Sequence, residues 1–185
     1  MKGYEVISAL KEYIRENDII VSSNGNISRE TYNILPRPQV YLRGSMGLPI
    51  AVGLGLALAN PSKKVIVITG DGNFLMGLGT VTTAAFYRPE NLKILILDNL
   101  RYSTTGGQPT VSSIINYSKF LDSLNIKDNR SKKASQDQIK QDLSDFLSSK
   151  AFCIFHFRIE EGKKDFGNIP WYPEEITKRI MERLT

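Results

Sequence analysis

Lys64-Val65-Ile66-Val67-Ile68-Thr69-Gly70-Asp71-Gly72-Asn73 carries two messages in ten residues. Its first half is a β-branched run without polar alternation, the pattern of a strand buried on both faces. Its second half leaves that strand on an acidic residue between two glycines, which let the backbone turn sharply and present a carboxylate at the strand's carboxyl end. Ligands of open parallel sheets gather at such ends, where loops and helix N termini converge. A second apolar run, Leu92-Lys93-Ile94-Leu95-Ile96-Leu97, finishes in the same manner on Asp98-Asn99. Between the two runs, Asn73 to Tyr87 is patterned as one helix and Pro89 breaks it.

Upstream, residues 2 to 16 have near-helical apolar spacing, and Ile19-Ile20-Val21 follows as a short strand. Ser22 to Asn26 reads as a loop, and Ser28 is placed to cap a helix running to Leu35, stopped by Pro36 and Pro38. Gln39 to Leu42 is a short strand. Gly44-Ser45-Met46-Gly47 then opens the apolar helix Leu48 to Asn60, whose glycines allow close packing. Downstream, Leu100 to Ser113 is a long polar loop, helices are expected over Ile114 to Leu124 and Gln136 to Ser149, and the polar stretch Asn125 to Ser135 that joins them leaves room for a weak strand. Ala151 to Arg158 is β-rich, and Pro173 starts a closing amphipathic helix. Strands alternating with helices predict an α/β fold, a three-layer α/β/α sandwich with a mainly parallel central sheet. Residues 1 to 185 are expected to form one domain.

The chain's 185 residues, 41% hydrophobic and 23% charged, supply one core. No stretch reaches the roughly 20 apolar residues of a membrane span, and the N terminus is not signal-like, so the expectation is a cytoplasmic protein without membrane contact. The single cysteine, Cys153, allows no internal disulfide and no iron-sulfur cluster, and is read as a small core residue. His156, the only histidine, falls inside a strand, a core or edge position rather than a catalytic one. A net charge of +5 raises nucleic-acid binding as a question. The basic residues of Lys127–Lys140 and Lys163–Arg179 alternate with Asp and Glu, without an aromatic platform or helix-turn-helix pattern, which favours a solvated face. No nucleic acid is expected; an acidic partner subunit or an anionic substrate also fits the charge.

Asp71 and Asn99, at the ends of neighbouring strands, offer two oxygens at one rim, the ligand type a hard cation such as Mg²⁺ prefers beside phosphate. Taken alone, Gly-Asp-Gly serves equally as a turn in which Asp71 caps a helix. The second strand and Asn99, 28 residues beyond Asp71, turn the tripeptide into a compound signal.

That compound signal resembles the thiamine-diphosphate motif, GDG followed by a pair of asparagines, with Asp98 in place of the first. The departure is expected to matter little to the metal, because the family binds through the second position. The resemblance implies that Asp71, Asn99 and the backbone carbonyl of Arg101 hold Mg²⁺, and that Gly72 and Asn73 contact the diphosphate of thiamine diphosphate. Gly70 and Tyr102 belong to the same implied contact set. In Gly44-Ser45-Met46-Gly47, it implies that the Gly44 carbonyl meets the cofactor's 4′-amino group, Met46 props the cofactor in its bent form, and Ser45 lies beside them.

More narrowly, GSMG, GLGLALA, GDGNFLM and GGQPT (residues 106–110) resemble sulfopyruvate decarboxylase β subunits and the C-terminal part of phosphonopyruvate decarboxylases. The family's activating glutamate belongs to a separate pyrimidine-binding domain. The resemblance therefore implies a pyrimidine-binding α subunit as partner, no catalytic residue on this chain, and a small anionic 2-oxo acid substrate. Arg29, Arg43 and Arg101 are candidates for the anionic tail, though each also reads as a surface or packing arginine. One cysteine speaks against 2-oxoacid:ferredoxin oxidoreductase β subunits, and acetohydroxyacid-type synthases normally carry all domains in one long chain. Gly53-Leu54-Gly55 lacks the third glycine of a dinucleotide fingerprint. A cofactor-binding regulatory subunit remains the non-enzyme alternative.

Overall fold

The computed structural model describes residues 1–162 and 164–184; Lys163, which opens the second basic stretch, and Thr185, which ends the expected domain, lie outside the described residues. Helix α1 (Gly3–Leu10) precedes β1 (Ile19–Ser22), α2 (Asn26–Ile34) leads to β2 (Val40–Tyr41), and α3 (Pro49–Ala59) to β3 (Val65–Gly70). Helices α4 (Asp71–Met76) and α5 (Leu78–Tyr87) connect to β4 (Leu92–Asp98). Then come an antiparallel ribbon of β5 (Arg101–Tyr102) and β6 (Gln108–Pro109), and helix α6 (Tyr117–Ser123). Strand β7 (Asp128–Lys133), helix α7 (Ile139–Ser148), β8 (Cys153–Arg158) and α8 (Pro173–Leu184) complete the order.

Six strands form one sheet in the order β2-β1-β3-β4-β8-β7, and every pairing in it is parallel. The period-two geometry of a strand sends Val65 and Val67 to one face and Ile66 and Ile68 to the other. The first pair packs with Ile50 and Leu54 of α3, Val81 of α5 and Leu121 of α6. The second packs with Val6 and Leu10 of α1 and Leu143 and Phe146 of α7. Both faces are therefore covered, as the unalternated sequence requires. Cys153 is buried in the second layer, and burial pushes its thiol up to about 12.

Several local expectations are corrected by packing. The helix expected over Asn73–Tyr87 is two helices broken at Gly77, because there the backbone meets Gly47 so closely that a Cβ would stand 2.2 Å from the Gly47 carbonyl oxygen. Ser28 caps nothing. Gly25, at φ 83°, precedes α2, and Ser28 is buried inside that helix, its hydroxyl 2.6 Å from the Ser23 carbonyl and 2.9 Å from that of Leu42. The long loop contains the β5-β6 ribbon and a 3-10 turn, Val111–Ile114, so the next helix starts at Tyr117 with Asn116 as its cap. The weak strand exists as β7 on the sheet edge. Basic residues of its region are paired: Arg130 with Asp142 and Asp145, Lys132 with Asp142.

The two glycines of α3 differ. A Cβ at Gly53 would lie 2.2 Å from Val67 Cγ2, whereas one at Gly55 meets nothing within 4 Å. Gly53→Ala is expected to destabilise the chain by about 1–3 kcal/mol through overpacking. Gly55→Ala should stabilise it by about 0.5–1 kcal/mol through helix propensity. Denaturant unfolding of the two variants checks the contrast.

Candidate functional site

The crossover from β1 runs through α2 to the edge strand β2, while that from β3 runs the opposite way to β4. Such a switch point opens a crevice at the carboxyl ends of the two strands. Here a cleft lies there, lined by Ser23 and Asn24 after β1, Asn26 and Glu30 of α2, and Gly70 to Asn73 after β3. Met46, Asn99, Arg101 and Tyr102 close it, with Ser103, Thr104 and Thr105. Eight expected contact residues thus meet at one place. Gly44 and Ser45 do not line it; they sit on the exposed loop before Met46, with open space around Gly44. At Gly72 only hydrogen fits, since a Cβ would come within 2.3 Å of the Tyr102 ring and 3.2 Å of the Met46 methyl.

Asp71 is 2% exposed and accepts a hydrogen bond from the Thr110 hydroxyl at Oδ2. Burial raises its carboxyl to about 6; the Thr110 bond opposes the rise and the charge of Asp98 adds to it. The Asn99 amide is fixed on both sides, Oδ1 accepting from Arg101 N–H at 2.9 Å and Nδ2 donating to Ser103 at 2.8 Å. A carbonyl oxygen has two lone pairs, so Asn99 Oδ1 retains one for a ligand. Among the described residues no group of three His, Cys, Asp or Glu gathers around a point. A cation beside Asp71 and Asn99 would draw its other oxygens from main chain, water and ligand phosphates, the habit of Mg²⁺. Asn73 commits its side-chain oxygen to Gly47 N–H at 3.0 Å, tying α4 to the Met46 loop. Two buried oxygens near the cleft, Ser23 Oγ and Asn24 Oδ1, have no partner, and orphaned polar atoms of this kind mark a place where a polar ligand fits.

Residues 24–157 match the family model described as thiamine pyrophosphate enzyme, C-terminal TPP binding domain. The chain belongs to this family. It is 34% identical to the sulfopyruvate decarboxylase subunit β of Methanothermobacter thermautotrophicus over 172 residues, 92% of this chain and 89% of that one. It is 33% identical to the phosphonopyruvate decarboxylase of Streptomyces viridochromogenes across 97% of its own length but only 46% of that protein's. A solved structure from Mycobacterium smegmatis, described as a thiamin diphosphate-dependent enzyme, superposes with a TM-score of 0.72 at 17% identity. That likeness covers 87% of this chain and 32% of the other, and it concerns the fold alone.

In this thiamine pyrophosphate domain the residue before Asn99 is far from incidental. Asp98 is wholly buried and collects hydrogen bonds from Ser112 Oγ, His156 Nε2 (2.9 Å) and Leu100 N–H (2.9 Å), with Arg158 at 3.1 Å. Burial acts to raise its carboxyl, but the bonds from His156, Ser112 and Leu100 and the Arg158 charge bring it below the ordinary range. Ser131 holds the other ring nitrogen of His156 at 2.9 Å, and Tyr117 stacks on that ring at 3.8 Å. His156 is therefore a buried structural residue, as its strand position suggests. The sequence names Asp98 only as a departure from the motif and Thr110 only as part of GGQPT, and it does not single out Ser23, Asn24 or Glu30. The first two carried a signal, a polar residue ending an apolar strand and the last position of GGQPT.

The three arginines diverge. Arg101 pairs with Glu161 at 3.0 Å and donates to the Gly107 carbonyl; Arg43 donates to the Trp171 carbonyl at 2.7 Å. Arg29 and Arg43 line a separate cleft that shares Asn24 and Thr104 with the first.

A carboxyl raised in the folded state, as Asp71 is, contributes less stability as pH climbs from about 4 through about 6, because the unfolded chain releases that proton first. Asp71→Asn should therefore melt a few degrees higher than the parent at about pH 7.5 without metal, and lose that advantage near pH 4. The same variant should lose the thermal shift given by Mg²⁺ with thiamine diphosphate. Calorimetric melting across pH, with and without the pair, measures both.

Proposed function

We propose that this chain is the diphosphate-binding β subunit of a two-subunit, thiamine-diphosphate-dependent 2-oxo acid decarboxylase. Sulfopyruvate is the favoured substrate, giving sulfoacetaldehyde and CO₂, and phosphonopyruvate is the alternative. The observation that carries this reading is the meeting of Asp71, Asn99 and the orphaned Ser23 and Asn24 oxygens in one cleft, at the switch point of a thiamine pyrophosphate domain. The likeness to a sulfopyruvate decarboxylase subunit along nearly its whole length supports the substrate class and the division into subunits.

Bound thiamine diphosphate would supply the electron sink for loss of CO₂. The chain's own part is to hold and orient. Asp71, Asn99 and the Arg101 carbonyl would take Mg²⁺, and the cation would favour the ionised Asp71 that burial otherwise penalises. The main chain at Gly72 and Asn73 would face the diphosphate. Met46, fixed through the Asn73–Gly47 bond, would support the ring portion. No catalytic side chain is assigned here, and the activating glutamate is placed on a pyrimidine-binding α subunit. Among the described residues no helix is long and apolar enough to cross a membrane, and we place the assembly in the cytoplasm.

Co-purification with a pyrimidine-binding subunit, followed by aldehyde assays on sulfopyruvate, phosphonopyruvate and pyruvate, tests the proposal. The complex should decarboxylate at least one anionic 2-oxo acid and the pure chain none. Efficient turnover by the pure chain would overturn the division of labour. Cofactor binding without turnover in the complex would point to a regulatory subunit.

A further inference from the structure

One carboxyl of the cleft has no task in this scheme. Glu30, in the middle of α2, is 5% exposed and lines the cleft, yet no hydrogen bond or ion pair reaches it among the described residues. Apolar groups line this end of the cleft with it: a Cβ built on Gly3 would lie 3.3 Å from Glu30 Oε2, 3.3 Å from Ile159 Cδ1 and 3.9 Å from Leu97 Cδ1. Burial in this wall raises the carboxyl to about 7.

Other charges offer Glu30 no counter-ion. Of the charged side chains lining the cleft, Asp71 is itself acidic and Arg101 is turned to Glu161 and Gly107. On α1, Glu5 is bonded to Lys2 N–H, and the Lys2 side chain lies over Gly162 at the outer end. Beyond β8, Glu160 is bound to the N-terminal ammonium. On β4, Asp98 is enclosed by its own donors.

Among the described residues, Ser23 Oγ and Asn24 Oδ1 thus lack protein partners beside the cleft, and so does the Glu30 carboxyl close to them in sequence. An ionised carboxylate there would repel a diphosphate; a neutral acid is a hydrogen-bond donor and attracts one. Resting on the cofactor reading above, we propose that Glu30 anchors the diphosphate as a neutral carboxylic acid, donating its proton in a hydrogen bond to a phosphate oxygen.

The anion stabilises the protonated form, so cofactor binding above about pH 7 takes up a proton and weakens as pH rises. Glu30 is also a residue the fold without cofactor tolerates at a cost, because an unpartnered buried carboxyl is penalised.

Isothermal titration of the full chain with thiamine diphosphate, at saturating Mg²⁺ and about pH 8 in two buffers of different ionisation heat, tests this. The parent should take up about one proton more than Glu30→Gln, whose amide donates without titrating and should keep affinity within about threefold. Glu30→Leu should bind about tenfold or more weakly, yet melt higher than the parent in the absence of cofactor. Equal proton uptake by parent and Glu30→Gln, or undiminished affinity of Glu30→Leu, overturns the inference alone. A parent chain that binds no thiamine diphosphate overturns the cofactor reading and the inference with it. Should Glu30→Leu fail to fold, the proton count of Glu30→Gln decides.

Discussion

A carboxyl withdrawn from water with no cationic side chain paired to it among the described residues is the constraint around which the cleft is arranged. Asp71 leaves the central strand β3, is almost wholly buried, and among the described residues has one side-chain hydrogen-bond donor, the Thr110 hydroxyl. Burying an uncompensated charge is costly enough that the group shifts toward its neutral form. The surrounding features act on that single cost. Glycine at 72 keeps the approach to Asp71 narrow, the Asn99 amide is locked beside it, and the ribbon β5-β6 brings Thr110 back over it. On the proposed reading, a divalent cation would relieve such a site.

Two carboxylates at adjacent strand ends are driven apart by their surroundings. Asp98 lies inside a closed set of donors, Ser112, His156, Leu100 N–H and Arg158, and stays ionised. Asp71 has one donor and the charge of Asp98 nearby, so its carboxyl rises. Pairs separated in this way sort themselves into different roles. Asp98 is the fixed anion that holds the β4 turn through Leu100 and so sets the Asn99 amide. Asp71 is left as the group with capacity for a ligand. Asp in place of the first asparagine of the motif therefore does more than stand beside Asn99. It is balanced by charged and polar residues from β8 and the 3-10 turn.

The sequence was most legible where one physical signal dominated. Strands β3 and β4 are buried on both faces, so their composition needed no context, and the polar residues that end them located the cleft. Elements set by tertiary contact were not readable. The break at Gly77 depends on the Gly47 carbonyl, far away along the chain, and Ser28 looks like a cap until the carbonyls of Ser23 and Leu42 are placed beside it. Strand β7, Asp-Asn-Arg-Ser-Lys-Lys, has no apolar pattern because it is a half-exposed edge, and its charges also discourage pairing with another chain. Glu30 was invisible for a similar reason. On a polar helix it reads as a solvated residue, and its burial appears only when α2 is packed close to Gly3 of α1.

What the cleft is proposed to hold is a diphosphate bridged to the protein by a metal, and this separates it from a site that recognises the vitamin ring. Equilibrium binding of thiamine diphosphate to the pure chain, with Mg²⁺, with a chelator, and against thiamine as competitor, measures that distinction. Binding should weaken at least about tenfold on chelation, because the phosphates and the protein oxygens share the cation, and thiamine should not compete. Equal affinity with and without metal, or displacement by thiamine at comparable concentration, would contradict the account.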